Sequence, residues 1–227
     1  MIETVTNRLI HPIVRQMKFA RREFGRSFDG VSDSEAERRF GSINSIGWMI
    51  GHVAEHEQDF WVVGRGGSAV VPGLVDQVGY GRPASTPPLR TMQVAWETIA
   101  RAVDAYLDTL TTEDLEARYA SDGTSTDESV GTRMYRTIYH YWFHNGEVQA
   151  VRQLLGHTDL PEFVGAIEVA APYSPEWLTV QRNEGSVGYR NTLSCPRAAS
   201  RAPDDGRRGG GAPGWNGVVT RVFHLTI

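Results

Sequence analysis

The sequence predicts an all-α fold, an antiparallel four-helix bundle, and three observations carry that expectation. Four segments, within 2–27, 44–63, 90–110 and about 130–155, space their apolar residues at steps of three and four. No segment shows a convincing alternating strand pattern. The stretches between them are rich in Gly, Pro and small polar residues, which break helices.

In the first segment Leu9, Ile13, Met17, Ala20 and Phe24 fall within about 80° of one another at ~100° per residue, which makes one buried stripe. The second opens at Asn44 or Ser45, either of which can accept from the first free backbone N–H groups as an N-cap. Residues 64–88 then hold Gly64, Gly66, Gly67, Pro72, Gly73, Gly79, Gly81, Pro83, Pro87 and Pro88. Such a loop is too long for a connector and marks a functional or mobile segment. The third helix carries Met92, Trp96, Ile99, Val103, Tyr106 and Leu110, and Thr111-Thr112-Glu113-Asp114 can close it and cap a short turn. Gly156 stands where a left-handed C-terminal glycine ends the fourth. Four such helices share one core over 1–175. After that the composition changes: Ser186 to Gly217 is rich in Gly, Arg, Pro and Ser without periodicity, so 176–227 reads as a disordered low-complexity tail. The last stretch, from Val218 to Leu225, could pass for a strand but has no obvious partner.

Composition narrows the function. With 40% apolar and 22% charged residues in 227, the chain is an ordinary globular protein. No apolar run approaches the ~18 residues of a membrane helix, and Met1-Ile2-Glu3 opens without a basic leader, so a cytoplasmic location is expected. The net charge of −4 is uneven: 182–227 carries +4 and 1–181 carries −8. An acidic body lacks the clustered cations that phosphate neutralisation needs, which argues against a nucleic-acid partner. Cys195 is the single cysteine, so neither a disulfide framework nor a thiolate zinc cluster can be built from this chain. Any metal must be held by His and carboxylates.

The histidines supply the chemistry. His140 and His144 are one helical turn apart and share a face with Val148, Val151 and Leu155; His52 and His56 likewise share a face with Met49, Phe60 and Val63. A single inward histidine is usually a core residue. Four of them on two helices are costly to bury unless something engages their lone pairs, and a divalent cation does so directly. Three imidazoles also leave coordination positions open, the mark of a catalytic rather than a structural site. His52-Val53-Ala54-Glu55-His56 matches the H-x-x-E-H pattern of inverted zinc peptidases. That pattern is short, leaves His140 and His144 unexplained, and puts Glu55 at the edge of the inward face.

The stretches Asn44-Ser45-Ile46-Gly47-Trp48-Met49-Ile50-Gly51-His52-Val53-Ala54-Glu55-His56-Glu57-Gln58-Asp59-Phe60-Trp61, Tyr139-His140-Tyr141-Trp142-Phe143-His144-Asn145-Gly146-Glu147 and Arg152-Gln153-Leu154-Leu155-Gly156-His157 resemble the DinB-like superfamily of metal-binding four-helix bundles, over roughly 1–170. The resemblance implies that His52, His140 and His144 bind a divalent metal, zinc or nickel. The 88 residues between His52 and His140 leave room for the loop, a third helix and the return. His56 is then a neighbour: a packing or hydrogen-bonding residue first, otherwise a fourth ligand or proton acceptor. Glu147 and Asp59 are placed to orient an imidazole through its second nitrogen, or are solvated edge charges.

Family members with assigned activity are thiol-dependent transferases and isomerases, in which a low-molecular-weight thiol such as mycothiol or bacillithiol binds the metal. The resemblance therefore implies a small-molecule thiol and an electrophile as partners. It leaves two other readings, a non-catalytic metal-stabilised stress-response bundle and a hydrolase using metal-bound water. It also implies a homodimer, for which this sequence offers only Tyr135, Tyr139, Trp142 and Phe143 spread around the fourth helix. Packing of those rings against the 64–88 loop explains them equally well.

Overall fold

The computed structural model describes residues 10–121 and 123–173. The first helix, α1 (Pro12–Ser27), begins on a proline whose fixed φ suits the first helical position, with the His11 ring accepting from the Ile13 N–H at 3.3 Å. A short α2 (Asp33–Ala36) is closed by a capping box between Ser32 and Glu35. The second long helix, α3 (Ile46–Gln58), is capped by Ser45, whose hydroxyl accepts from the Trp48 N–H at 3.2 Å. Its end widens into a π turn at Asp59–Val63. The Phe60 carbonyl in that turn is taken up by the Tyr119 hydroxyl at 2.8 Å.

After α4 (Leu74–Val78) come α5 (Leu89–Leu107) and α6 (Thr112–Glu116), the latter opened by a Thr111–Asp114 capping box. Strands β1 (Arg118–Ser121) and β2 (Thr124–Ser129) pair antiparallel, and α7 (Val130–Leu155) follows directly, capped by Ser129 and ended by Gly156 at φ 93°. A short α8 (Ile167–Ala170) lies near the end of the described chain.

The architecture is mostly helical, and its four long helices stand where the sequence expects them. Three expectations change. Helix α1 starts at Pro12, and residues 1–9 lie outside those described, as does the tail from 176. Residues 64–88 are not merely a loop, since α4 sits within them. The hairpin at 118–129 was invisible to an alternation test because only Tyr119 of its side chains is buried. The one local signal is the Asp122-Gly123 pair, with Gly123 at φ 75°.

The core lies where α1 packs on α7 and α3 packs on both α5 and α7. Val14, Met17, Phe24, Met49, Ile50, Met92, Ile99, Val103, Met134, Val148 and Val151 are fully enclosed. Trp142 is half-buried, 6.0 Å from the Phe19 ring. Tyr135, Tyr139 and Phe143 instead keep 52%, 64% and 52% of their surface exposed, so packing against the 64–88 segment is not what accounts for them. Among the described residues no helix is long and apolar enough to cross a membrane.

Candidate metal centre

Helices α3 and α7 bring His52, His140 and His144 together, all three buried, with one ring nitrogen of each within 4.8 Å of the others. The ring centroids of His52 lie 5.0 Å from His140 and 5.3 Å from His144. Each ring is aimed by what its other atoms touch. Nδ1 of His52 is 2.9 Å from the Val78 carbonyl of α4, which can only accept. The proton therefore sits on Nδ1, and Nε2 keeps its lone pair toward the cluster. Nδ1 of His144 meets Glu147 Oε2 at 2.6 Å, which leaves its Nε2 to face His140 Nε2 at 2.9 Å. Two nitrogens bound to one ion at ~2.0–2.1 Å stand roughly 2.9–3.4 Å apart at ordinary ligand angles. The donor set thus fits a divalent cation, and both bracing acceptors are of the kind that fix metal-binding imidazoles.

The electrostatics agree. Burial pushes the His52 imidazolium down to about 4 and the His140 imidazolium further still, with the neighbouring imidazoles adding to the effect. Both rings are neutral at pH 7 and have a lone pair to give. Trp48, four residues before His52, stacks on its ring at 4.4 Å and 18°, closing that flank to water.

His56 lies beside this group rather than in it. Its ring packs 4.2 Å from His140 and 3.9 Å from Phe60, and its Nδ1 is buried with no hydrogen-bond partner. Burial, then His52 and the Arg133 guanidinium, push it down to about 3, so it is a poor proton acceptor. Of the two carboxylates singled out in the sequence, Glu147 is the one in contact with a cluster ring, His144. Asp59 is exposed at the head of the π turn, and its charge helps burial to push the Glu55 carboxyl up to about 7.

Two contributors escaped the sequence. Trp48 was detectable, since i and i+4 share a helix face. The Val78 carbonyl was not, because a backbone acceptor from a separate element carries no residue signature.

A mostly helical protein with a convergent, inward set of three histidines is the class these observations define. A family model described as the DinB superfamily matches residues 16–148, more than half of the chain, and the chain belongs to that superfamily. A solved structure of a conserved protein from Enterococcus faecalis is 17% identical, covers 64% of this chain and 96% of its own, and superposes with a TM-score of 0.48. No curated protein sequence matches.

Proposed function

We propose that this DinB-superfamily protein is a divalent-metal-dependent thiol S-transferase of stress or detoxification chemistry, built as a four-helix bundle whose cation, zinc or nickel, is held by His52, His140 and His144. The observation that carries the reading is the convergence of three buried imidazoles, each offering a ring nitrogen within 4.8 Å of the others, with no fourth protein ligand among the described residues. When bound, such a cation stabilises thiolate over thiol at neutral pH and leaves positions for it. Val78 and Glu147 hold two of the rings in the productive tautomer, and Trp48 shields one side. The thiolate sulfur attacks the electrophilic carbon, the new C–S bond forms as the leaving group departs with its electron pair, and the thiol proton passes to solvent. The step needs no protein thiol, in keeping with residues 1–181, which contain no cysteine.

Metal analysis of His52→Ala, His140→Ala and His144→Ala is expected to show lost or strongly reduced stoichiometry in each. Unchanged content in all three would dispose of the centre. For the chemistry, the metal-loaded protein should consume a small thiol and 1-chloro-2,4-dinitrobenzene together faster than metal-free protein.

The exposed rings of Tyr135, Tyr139 and Phe143, one turn apart along α7, favour a second proposal at the level of assembly, a homodimer through that face. Light scattering of Tyr139→Ser should then report a lower mass than the parent protein.

A further inference from the structure

One helical face of α7 continues past the histidines. Arg136 and Arg133 are four and seven residues before His140, so at ~1.5 Å and ~100° per residue they sit about 6 and 10 Å along the axis and within roughly 40° of it. Their guanidiniums are held rather than free. That of Arg133 lies over Phe60 at 4.3 Å and Tyr119 at 4.5 Å, and the Phe60 ring in turn packs on His56 beside His140. Both arginines share one carboxylate: Arg133 reaches Glu128 at 3.0 Å, and Arg136 pairs with the same residue. One carboxylate is thus shared between two guanidiniums, so neither has it to itself. The Nε–H of each arginine is also buried with no partner, so their hydrogen-bonding capacity is not exhausted by Glu128.

We infer that Arg133 and Arg136 are a recognition site for a carboxylate carried by the thiol substrate, several bonds from the sulfur that meets the three-histidine centre. This inference rests on the thiol reading above and names the substrate class it takes, an anionic thiol. A planar guanidinium fixed against aromatic rings, as that of Arg133 is, or held by an ion pair, as that of Arg136 is, pairs well with a carboxylate because little side-chain entropy remains to be lost. The neighbouring charges discriminate against neutral and cationic thiols.

The test uses nickel-loaded full-length protein titrated with 3-mercaptopropionate, 2-mercaptoethanol and cysteamine, read by the ligand-field spectrum. The carboxylated thiol is expected to bind at least about tenfold more tightly than the neutral one, as a charge-assisted contact provides. In Arg133→Gln and Arg136→Gln that preference should vanish while 2-mercaptoethanol affinity and nickel content hold. Glu128→Gln, which releases both guanidiniums, should strengthen the preference and guards against a variant that fails to fold. Equal affinities for charged and neutral thiols in the parent protein would overturn the carboxylate site and leave the thiol reading standing. If no thiol perturbs the spectrum, the thiol reading falls. Succinate then decides the anion site in metal-free protein: a raised Tm that both arginine variants lose supports it, and no rise overturns it.

Discussion

Glu55 shows how one residue's environment sets a measurable property. Burial, helped by the Asp59 charge one turn on, holds its carboxyl near 7, against about 4.5 in an unfolded chain. The folded state therefore keeps a proton that the unfolded state releases. The associated stability is fully present below pH 4.5 and is lost as pH rises toward 7, beyond which the penalty is constant. Glu55→Gln removes the penalty. Its urea midpoint should match that of the parent protein at pH 4.5 and exceed it by a margin that grows up to about pH 7. A margin independent of pH would show that Glu55 is not the titrating group. The same carboxylate lent H-x-x-E-H its appearance of a peptidase motif. In the structure the second histidine of that motif, His56, stands beside the cluster while His140 and His144 complete it, so the local pattern and the three-dimensional one separate at a single residue.

Between elements, the approach of α4 to α3 decides how His52 is held. A Cβ added at Gly51 would collide with the Met92 sulfur and come within 3.0 Å of Val78 Cγ1, and the Val78 carbonyl is what fixes His52 next to it. Gly51→Ala should cost about 1–3 kcal/mol by overpacking and should weaken metal binding as well, because Val78 must shift. Thermal unfolding with parallel metal titration checks both; a stability loss with unchanged metal affinity would detach α4 from the centre. The long helices and the two inward histidine pairs were legible because the 3.6-residue period and the i, i+4 spacing are local, whereas the choice of His52 over His56 came with the family resemblance. The Thr111 and Ser45 caps and the Gly156 stop were legible for the same reason. What was not legible depends on contacts distant in sequence: α4 inside a Gly- and Pro-rich segment, the π turn that presents Phe60 to His56, and a hairpin whose residues are mostly exposed. Helical carboxylates such as Glu57 and Glu23 were unremarkable in sequence because most such groups are solvated, yet both are buried here.

At the scale of the whole molecule, Glu57 ties the four long helices together. Arg21 of α1 pairs with Glu57 of α3 and donates to Asp104 of α5 at 2.6 Å; the Tyr141 hydroxyl of α7 donates to Glu57 at 2.5 Å and accepts from Trp96 of α5 at 2.8 Å. Glu57 follows His56 and Tyr141 follows His140, so the network fixes α3 against α7 one residue away from the histidine rows. Removing the carboxylate leaves a buried guanidinium short of its partner, and Glu57→Ala should cost about 3–5 kcal/mol. Tyr141→Phe takes one hydrogen bond from the carboxylate and the acceptor from the Trp96 N–H, and should cost about 1–3 kcal/mol. A cation joining the same two helices adds to this by mass action, because an unfolded chain holds no three-histidine site. At about 100 times its Kd it should contribute ~2.7 kcal/mol, a rise in Tm of roughly 5–10 °C for a chain of this size. Calorimetry of the chelated protein with and without added metal should show that rise in the parent protein, a similar rise from a lower baseline in Tyr141→Phe, and none in His140→Ala. If His140→Ala responds as the parent does, the ion binds elsewhere, and the convergence of the three rings is packing alone.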